Sequence, residues 1–306
     1  MAVTMPMAET APARPLAAAL WMVGSISGFT LLSISGREIG KALDTFEMMF
    51  YRSLIGTVAI VVFALATRRT GLISHRHLGL HFLRNAVHFA GQNLWLHALA
   101  LIPLAQLFAI EFSSPLIVAL AAPFVLAERL TPARALAVAL GFCGVLIVAQ
   151  PFGQASLSPG VLSALGSAFS FAATAILTKR LTRRVPVLSI LFWLAAMQSA
   201  MGLVTAGWDG AIALPHGPVL GWVLVMGLAG LGAHVGLTKA LSLAPATVVT
   251  PMDFLRLPII ALVGMSLYGE PLDAMVFAGG AMILGANWLN IRAARAGARS
   301  VATAAS

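Results

Sequence analysis

Ten apolar runs of about twenty residues, joined by short polar turns, govern what this chain can fold into. They lie near 16–35, 45–66, 79–101, 104–126, 133–149, 160–178, 187–206, 218–238, 246–268 and 273–291. A helix needs about 20 apolar residues to cross the hydrocarbon core of a bilayer. Only helices and closed barrels satisfy their backbone there, and no stretch shows the two-residue alternation of a strand. The expected fold is therefore an all-α membrane protein of ten transmembrane helices, with consecutive helices antiparallel because their connections are short. Composition agrees: 59% of residues are hydrophobic and 9% charged, against about 25% charged in a soluble domain. So few charges cannot clothe a water-facing surface.

The formal net charge of +9 argues for orientation in a membrane and against nucleic-acid binding. With the N-terminus in the cytoplasm, the inner segments hold Arg14, Arg68, Arg69, Arg76, Arg129, Arg134, Lys179, Arg180, Arg183, Arg184, Lys239, Arg292, Arg295 and Arg299. The outer loops hold only Arg37 and Lys41. Positive residues stay inside, so both termini are expected in the cytoplasm, in a bacterial inner membrane. Residues 1–15 and 292–306 become cytoplasmic tails. No small-residue cleavage site follows the first apolar run, which is expected to be a retained helix rather than a signal peptide.

The second half repeats the first at an offset of 142 residues. Ala98, Leu99, Leu101 and Pro103 fall on Ala240, Leu241, Leu243 and Pro245. Phe112, Ile117, Ala119, Leu120, Glu128 and Leu130 fall on Phe254, Ile259, Ala261, Leu262, Glu270 and Leu272. Glu111 falls on Asp253, and Phe50-Tyr51 on Phe192-Trp193. Five helices per repeat is an odd number, so residues 16–150 and 160–291 enter the membrane from opposite sides. Inverted repeats of this kind place a substrate site near the midplane of an alternating-access carrier.

Pro115, the run Glu128-Arg129-Leu130-Thr131 and the following Gly141 and Gly144 resemble the hallmark of the EamA-type drug/metabolite transporter superfamily. Arg52 and Leu243-Ala244-Pro245 fit the same pattern, and the resemblance covers essentially the whole chain. Within the superfamily the chain is most similar to the YddG-type amino-acid exporters. The resemblance implies ten helices around a central cavity, lined mainly by helices 1, 3, 4, 6, 8 and 9, and export of small metabolites. One departure is that the second repeat reads Glu270-Pro271-Leu272, so no role of Arg129 carries across.

Charges within the runs need partners or water, because each costs at least about 3 kcal/mol at the bilayer centre. Glu47, Arg52, Glu111, Asp253 and Arg256 stand out. Arg52 and Glu111 share a depth and are expected to pair; Asp253 and Arg256, three apart, can meet on one helix face. Structural pairing and pairing that changes during gating or holds a substrate both fit. Glu128 and Glu270 read as interfacial caps, and Pro115 and Pro258 as helix kinks. Helix 3 carries a polar stripe at Asn85, His88, Gln92 and Trp95, beside Asn93, which should face the cavity or another helix. The stripe at Ser163, Ser167, Ser170, Thr174 and Thr178 reads as close packing. Gly227, Gly230, His234 and Thr238 form a third. Trp21 and Trp193 either line the cavity or belong to an interfacial belt.

Enzyme signatures are missing from the sequence. Gly230-x-Gly232 runs on into His234 and Gly236 within an apolar helix, and there is no phosphate loop. The lone Cys143 excludes a disulfide or cysteine-zinc framework, and His75, His77 and His81 read as a solvated basic loop. No catalytic, metal or cofactor site is expected. The reading is a secondary carrier for amino acids and related small metabolites, embedded in the lipid bilayer, with a homodimer allowed. Carriers of lipophilic cations or nucleotide sugars, and a membrane-embedded enzyme or scaffold, are the alternatives.

Overall fold

Backbone groups in an apolar chain must bond within their own segment, and helices dominate the result. The computed structural model describes residues 15–125, 131–149, 158–182, 184–244, 249 and 252–304. The helices are α1 (Pro15–Ile39), α2 (Thr45–Ala66), α3 (Leu78–Leu101), α4 (Leu104–Glu111), α5 (Ser114–Val125) and α6 (Pro132–Ala149). After them come α7 (Pro159–Thr182), α8 (Val187–Ala206), α9 (Pro218–Leu243), α10 (Arg256–Tyr268) and α11 (Ala274–Ala304). Among the described residues there is no strand. The segments 1–14 and Glu128-Arg129-Leu130, on which the N-terminal tail and part of the repeated motif fall, lie outside the described residues, as do Arg183 and Pro245.

Among the described residues, eight stretches are long and apolar enough to cross a membrane. The third expected span, α3, is not among them, because His81, Arg84, Asn85, His88 and Gln92 lower its hydropathy. Most of that polar face is buried: Asn85 and His81 are wholly inaccessible. The fourth span is broken in two at Phe112-Ser113. Pro115 has no N–H to give Glu111, and Ser114 Oγ donates to that carbonyl at 2.8 Å instead. A turn at Phe254-Leu255, before Pro258, precedes α10 in the same way.

The helices pair as α1 with α9, α2 with α8, α3 with α7, and α6 with α11, while α4 packs on α10. Small residues let them close. Gly144 and Gly279 face each other across α6 and α11, where an added Cβ would meet the opposite carbonyl oxygen at 2.8 and 2.6 Å. On α7, Ser170 lies against Gly91 of α3, so at that position the stripe serves packing, while Ser163 Oγ lies 2.9 Å from His97 Nδ1 and Thr178 Oγ1 accepts from Arg84 Nε at 3.1 Å. Glu47 lies in the first turn of α2 and acts as a cap. It completes a capping box with Asp44 at the start of α2, and its Oε1 accepts from Ala213 N at 2.6 Å.

Candidate functional site

Two helix breaks deliver the charged centre. Glu111 is the last residue of α4, Asp253 precedes the second break, and Arg256 opens α10. Arg256 Nη2 donates to Glu111 Oε1 and to Asp253 Oδ2, both at 3.3 Å. Trp95 Nε1 donates to Glu111 Oε2 at 2.8 Å. The guanidinium also sits against the rings of Phe29, Phe108 and Phe112, at 4.6, 5.1 and 5.0 Å from their centroids. Aromatic faces attract a cation most strongly when water is excluded, and Arg256 is buried. One guanidinium thus serves two carboxylates, and Asp253 Oδ1 is buried without a hydrogen bond among the described residues. The cluster can hold the two broken segments together, or release them when its charge balance changes.

Beside it, α2, α8 and α9 enclose a cavity of about 60 Å³ whose polar lining is Arg52, Ser53, Gln198 and His234. The rest of its wall is apolar, including Ile60, Leu191 and Leu194. Arg52 Nη1 donates to Gln92 Oε1 at 2.6 Å, and Gln198 Nε2 lies 2.7 Å from His88 Nδ1. Gln92 and His88 of α3 therefore stand behind the cavity and hold residues that face it. Phe29 joins the two regions, one face on Arg256 and its ring edge-on to His234 at 5.3 Å.

At the end of the bundle where α1 and α3 finish, a larger cavity of about 720 Å³ is lined by Arg37, Phe46, His97, Tyr268 and Glu270 among others. Arg37 Nη1 pairs with Glu270 Oε1. Its Nε and Nη2 donate to the carbonyls of Leu99 and Ile102 at 2.9 and 2.7 Å, and Glu270 Oε2 accepts from Leu104 N at 2.8 Å. One ion pair thereby ties the ends of α1 and α3 to the start of α4 and the end of α10.

Residues 16–150 and 158–292 each match the EamA-like transporter family. The chain belongs to that family. It is 32% identical over 291 residues to a riboflavin transporter of Rhizobium johnstonii, covering 92% of this chain and 93% of that one. It is also 26% identical over 266 residues to an S-adenosylmethionine uptake transporter of Rickettsia felis, covering 86% and 88%. A crystal structure 19% identical in sequence superposes with a TM-score of 0.62 over 91% of this chain and 97% of the other, sharing its fold. These relatives narrow the sequence expectation: the superfamily holds, while the relatives are named as riboflavin and S-adenosylmethionine transporters and not specifically as amino-acid exporters.

In this EamA-like transporter the expected site residues fall into three groups. Trp95, Glu111, Asp253 and Arg256 meet in the charged centre. Arg52 and His234 line the small cavity, with His88 and Gln92 behind them. Trp21, Asn93 and Trp193 join neither group. Trp21 is 43% exposed, and Asn93 Nδ2 is turned back onto Phe89 O of its own helix. Trp193 Nε1 donates to Ser74 O at 2.8 Å, which fastens α8 to the turn before α3. The expected Arg52–Glu111 pair does not form, because equal depth does not put two side chains on facing sides of their helices. Arg37, Gln198 and Glu270 were missed as site residues. Arg37 read as an outer-loop charge and Glu270 as an interfacial cap, and Gln198 was a lone amide in an apolar run. Arg84 was also missed; it is buried on α3 and donates to Thr178 Oγ1 at 3.1 Å and Asn85 Oδ1 at 2.9 Å.

Proposed function

We propose that the chain is a secondary transporter of small organic metabolites that works by alternating access, and that its cargo is a planar nitrogen heterocycle on a polar tail. The observation that carries the transport reading is the buried cluster of Glu111, Asp253 and Arg256 at two matching helix breaks. Charges of this kind inside a membrane bundle mark substrate or ion pathways. The cargo class follows from the relatives, since riboflavin and S-adenosylmethionine both join a flat heterocycle to a polar chain.

Ten spans in two inverted halves fit the same reading. Counting α4 with α5 as the fourth span and α10 as the ninth, the pairs 1–8, 2–7, 3–6, 4–9 and 5–10 are unchanged when the halves are exchanged. The breaks at Phe112 and Phe254 keep the 142-residue offset. Both termini then lie in the cytoplasm of a bacterial inner membrane, and the Arg37–Glu270 clamp lies on the outer side.

Amino-acid export is the second reading. The unneutralised carboxylate in the centre suits an ammonium, and Arg52 suits a carboxylate. Purified protein in liposomes, given labelled riboflavin, S-adenosylmethionine or an amino-acid panel with and without a pH gradient, separates the two. Flux of either heterocycle that the amino acids do not inhibit supports the first; flux of amino acids alone overturns it.

A further inference from the structure

The cavity between α2, α8 and α9 is lined by a partly buried cation that has no counter-ion among the described residues. Arg52 gives Nη1 to Gln92 Oε1 and touches Met49 Sδ at 3.6 Å, and neither partner is charged. Its Nε and Nη2, the parallel donors of the guanidinium fork, hold no hydrogen bond among the described residues. Arg37 and Arg256 are different, because each holds a carboxylate. An arginine used as a brace spends its donors on helix carbonyls, as Arg37 does on Leu99 and Ile102. Arg52 leaves its fork open toward the cavity, and a charge held partly out of water gains from a partner there.

Gln198 stands beside it on the cavity wall. An amide nitrogen only donates, so His88 Nδ1 accepts at 2.7 Å, and Gln198 Oε1 is left without a hydrogen bond among the described residues. A Cβ at Gly230 would lie 3.5 Å from Arg52 Nε, so glycine there keeps that edge of the fork uncovered. The cavity therefore presents two parallel donors and one acceptor among apolar walls.

We infer that this cavity is a recognition subsite for a paired-acceptor edge of the transported molecule, received by the Arg52 fork, with Gln198 Oε1 accepting a neighbouring N–H. The inference rests on the transport reading above and names the part of the cargo that is read. Two adjacent acceptors in one plane occur in a carboxylate and in the carbonyl and ring-nitrogen edge of a flavin-like heterocycle, and a guanidinium fork matches both. Gln92 and His88 are positioning residues, since each orients a residue that faces the cavity.

The test uses the full chain in lipid nanodiscs, with riboflavin binding followed by flavin fluorescence and the unliganded melting temperature recorded alongside. Competitors are lumichrome (ring without tail), ribitol (tail without ring) and phenylalanine (carboxylate without heterocycle). Arg52→Lys, which keeps charge and loses the fork, and Arg52→Met are expected to weaken riboflavin binding roughly ten- to a hundredfold. Lumichrome should displace riboflavin from the unaltered protein, and ribitol should not. Displacement by phenylalanine that vanishes in Arg52→Lys would identify a carboxylate as the group received. The unliganded Arg52→Met protein should melt no lower than the parent, because an uncompensated charge has gone. Parental affinity in Arg52→Lys, or a sharply lowered melting temperature in Arg52→Met, overturns the subsite while riboflavin binding by the parent leaves the transport reading intact. If the parent neither binds nor carries riboflavin, S-adenosylmethionine or phenylalanine, both fall together.

Discussion

Trp95 holds its place through one bond that a phenylalanine cannot make. Its ring packs edge-on to Phe108 at 5.9 Å, and its Nε1 donates to Glu111. A hydrogen bond to a charged group contributes about 1.5–3 kcal/mol, so Trp95→Phe should lower the melting temperature in detergent while keeping the ring contact. An unchanged melt would show that the bond contributes nothing. Arg256→Ala is the harsher change, because it strands two carboxylates in a buried site. Breaking such a pair costs about 3–5 kcal/mol, and folded yield should fall sharply. Adding Asp253→Asn to Arg256→Ala should restore part of it, and equal yields in the single and double variants would separate Asp253 from the cluster. Glu111, Asp253 and Arg256 were legible as charges inside apolar runs, and three-residue spacing anticipated the Asp253–Arg256 contact. The partner of Glu111 was not legible, because hydropathy gives depth along a helix and leaves its rotation open. Phe29, Phe108 and Phe112 around Arg256 stayed hidden for the same reason, as phenylalanines in lipid-spanning helices are usually plain apolar surface.

At the scale of helices, contacts between backbones decide which positions tolerate a side chain. A Cβ on Gly202 of α8 would lie 2.7 Å from Phe50 Cα of α2, whereas one on Gly24 of α1 would meet nothing within 4 Å. Overpacking costs about 1–3 kcal/mol, and backbone cannot move aside as a flexible side chain can. Gly202→Ala should therefore lower thermal stability clearly, and Gly24→Ala should match the parent. Equal stability of the two variants would refute the close α2–α8 approach. The spans themselves were readable from the sequence because lipid demands long apolar helices. Their interruptions were less so. Pro115 and Pro258 signalled kinks, yet the turns sit upstream, at Phe112-Ser113, two to three residues before Pro115, and at Phe254-Leu255, three to four before Pro258. A proline frees the carbonyl of the preceding turn, so the helix opens upstream of the proline.

For the molecule as a whole, the proposed alternating-access cycle needs one end closed while the other opens, and Arg37 with Glu270 is the contact suited to closing one end. Arg37 lies at the close of α1 and Glu270 just beyond α10, so their pair joins the two halves of the chain. Arg37 also reaches α3 through Leu99 and Ile102, and Tyr268 lies under its guanidinium at 4.9 Å. If this end faces outward, a cysteine at Asp209 should react with an impermeant thiol reagent in intact cells and one at Arg184 should not. The reverse labelling would invert the orientation. The clamp itself is tested by Arg37→Cys with Glu270→Cys in a Cys143→Ala background, since Cys143 is exposed and would react as well. Bridging the two cysteines with a short bis-methanethiosulfonate, which links them through two disulfides, should stop transport in liposomes, and reduction of those disulfides should restore it. Thermal stability of the bridged protein should be equal or higher, because a cross-link restricts the unfolded chain. Undiminished flux through the bridged protein would mean that α1 and α10 do not part during the cycle, and the moving element would then have to be sought at the opposite end of the bundle.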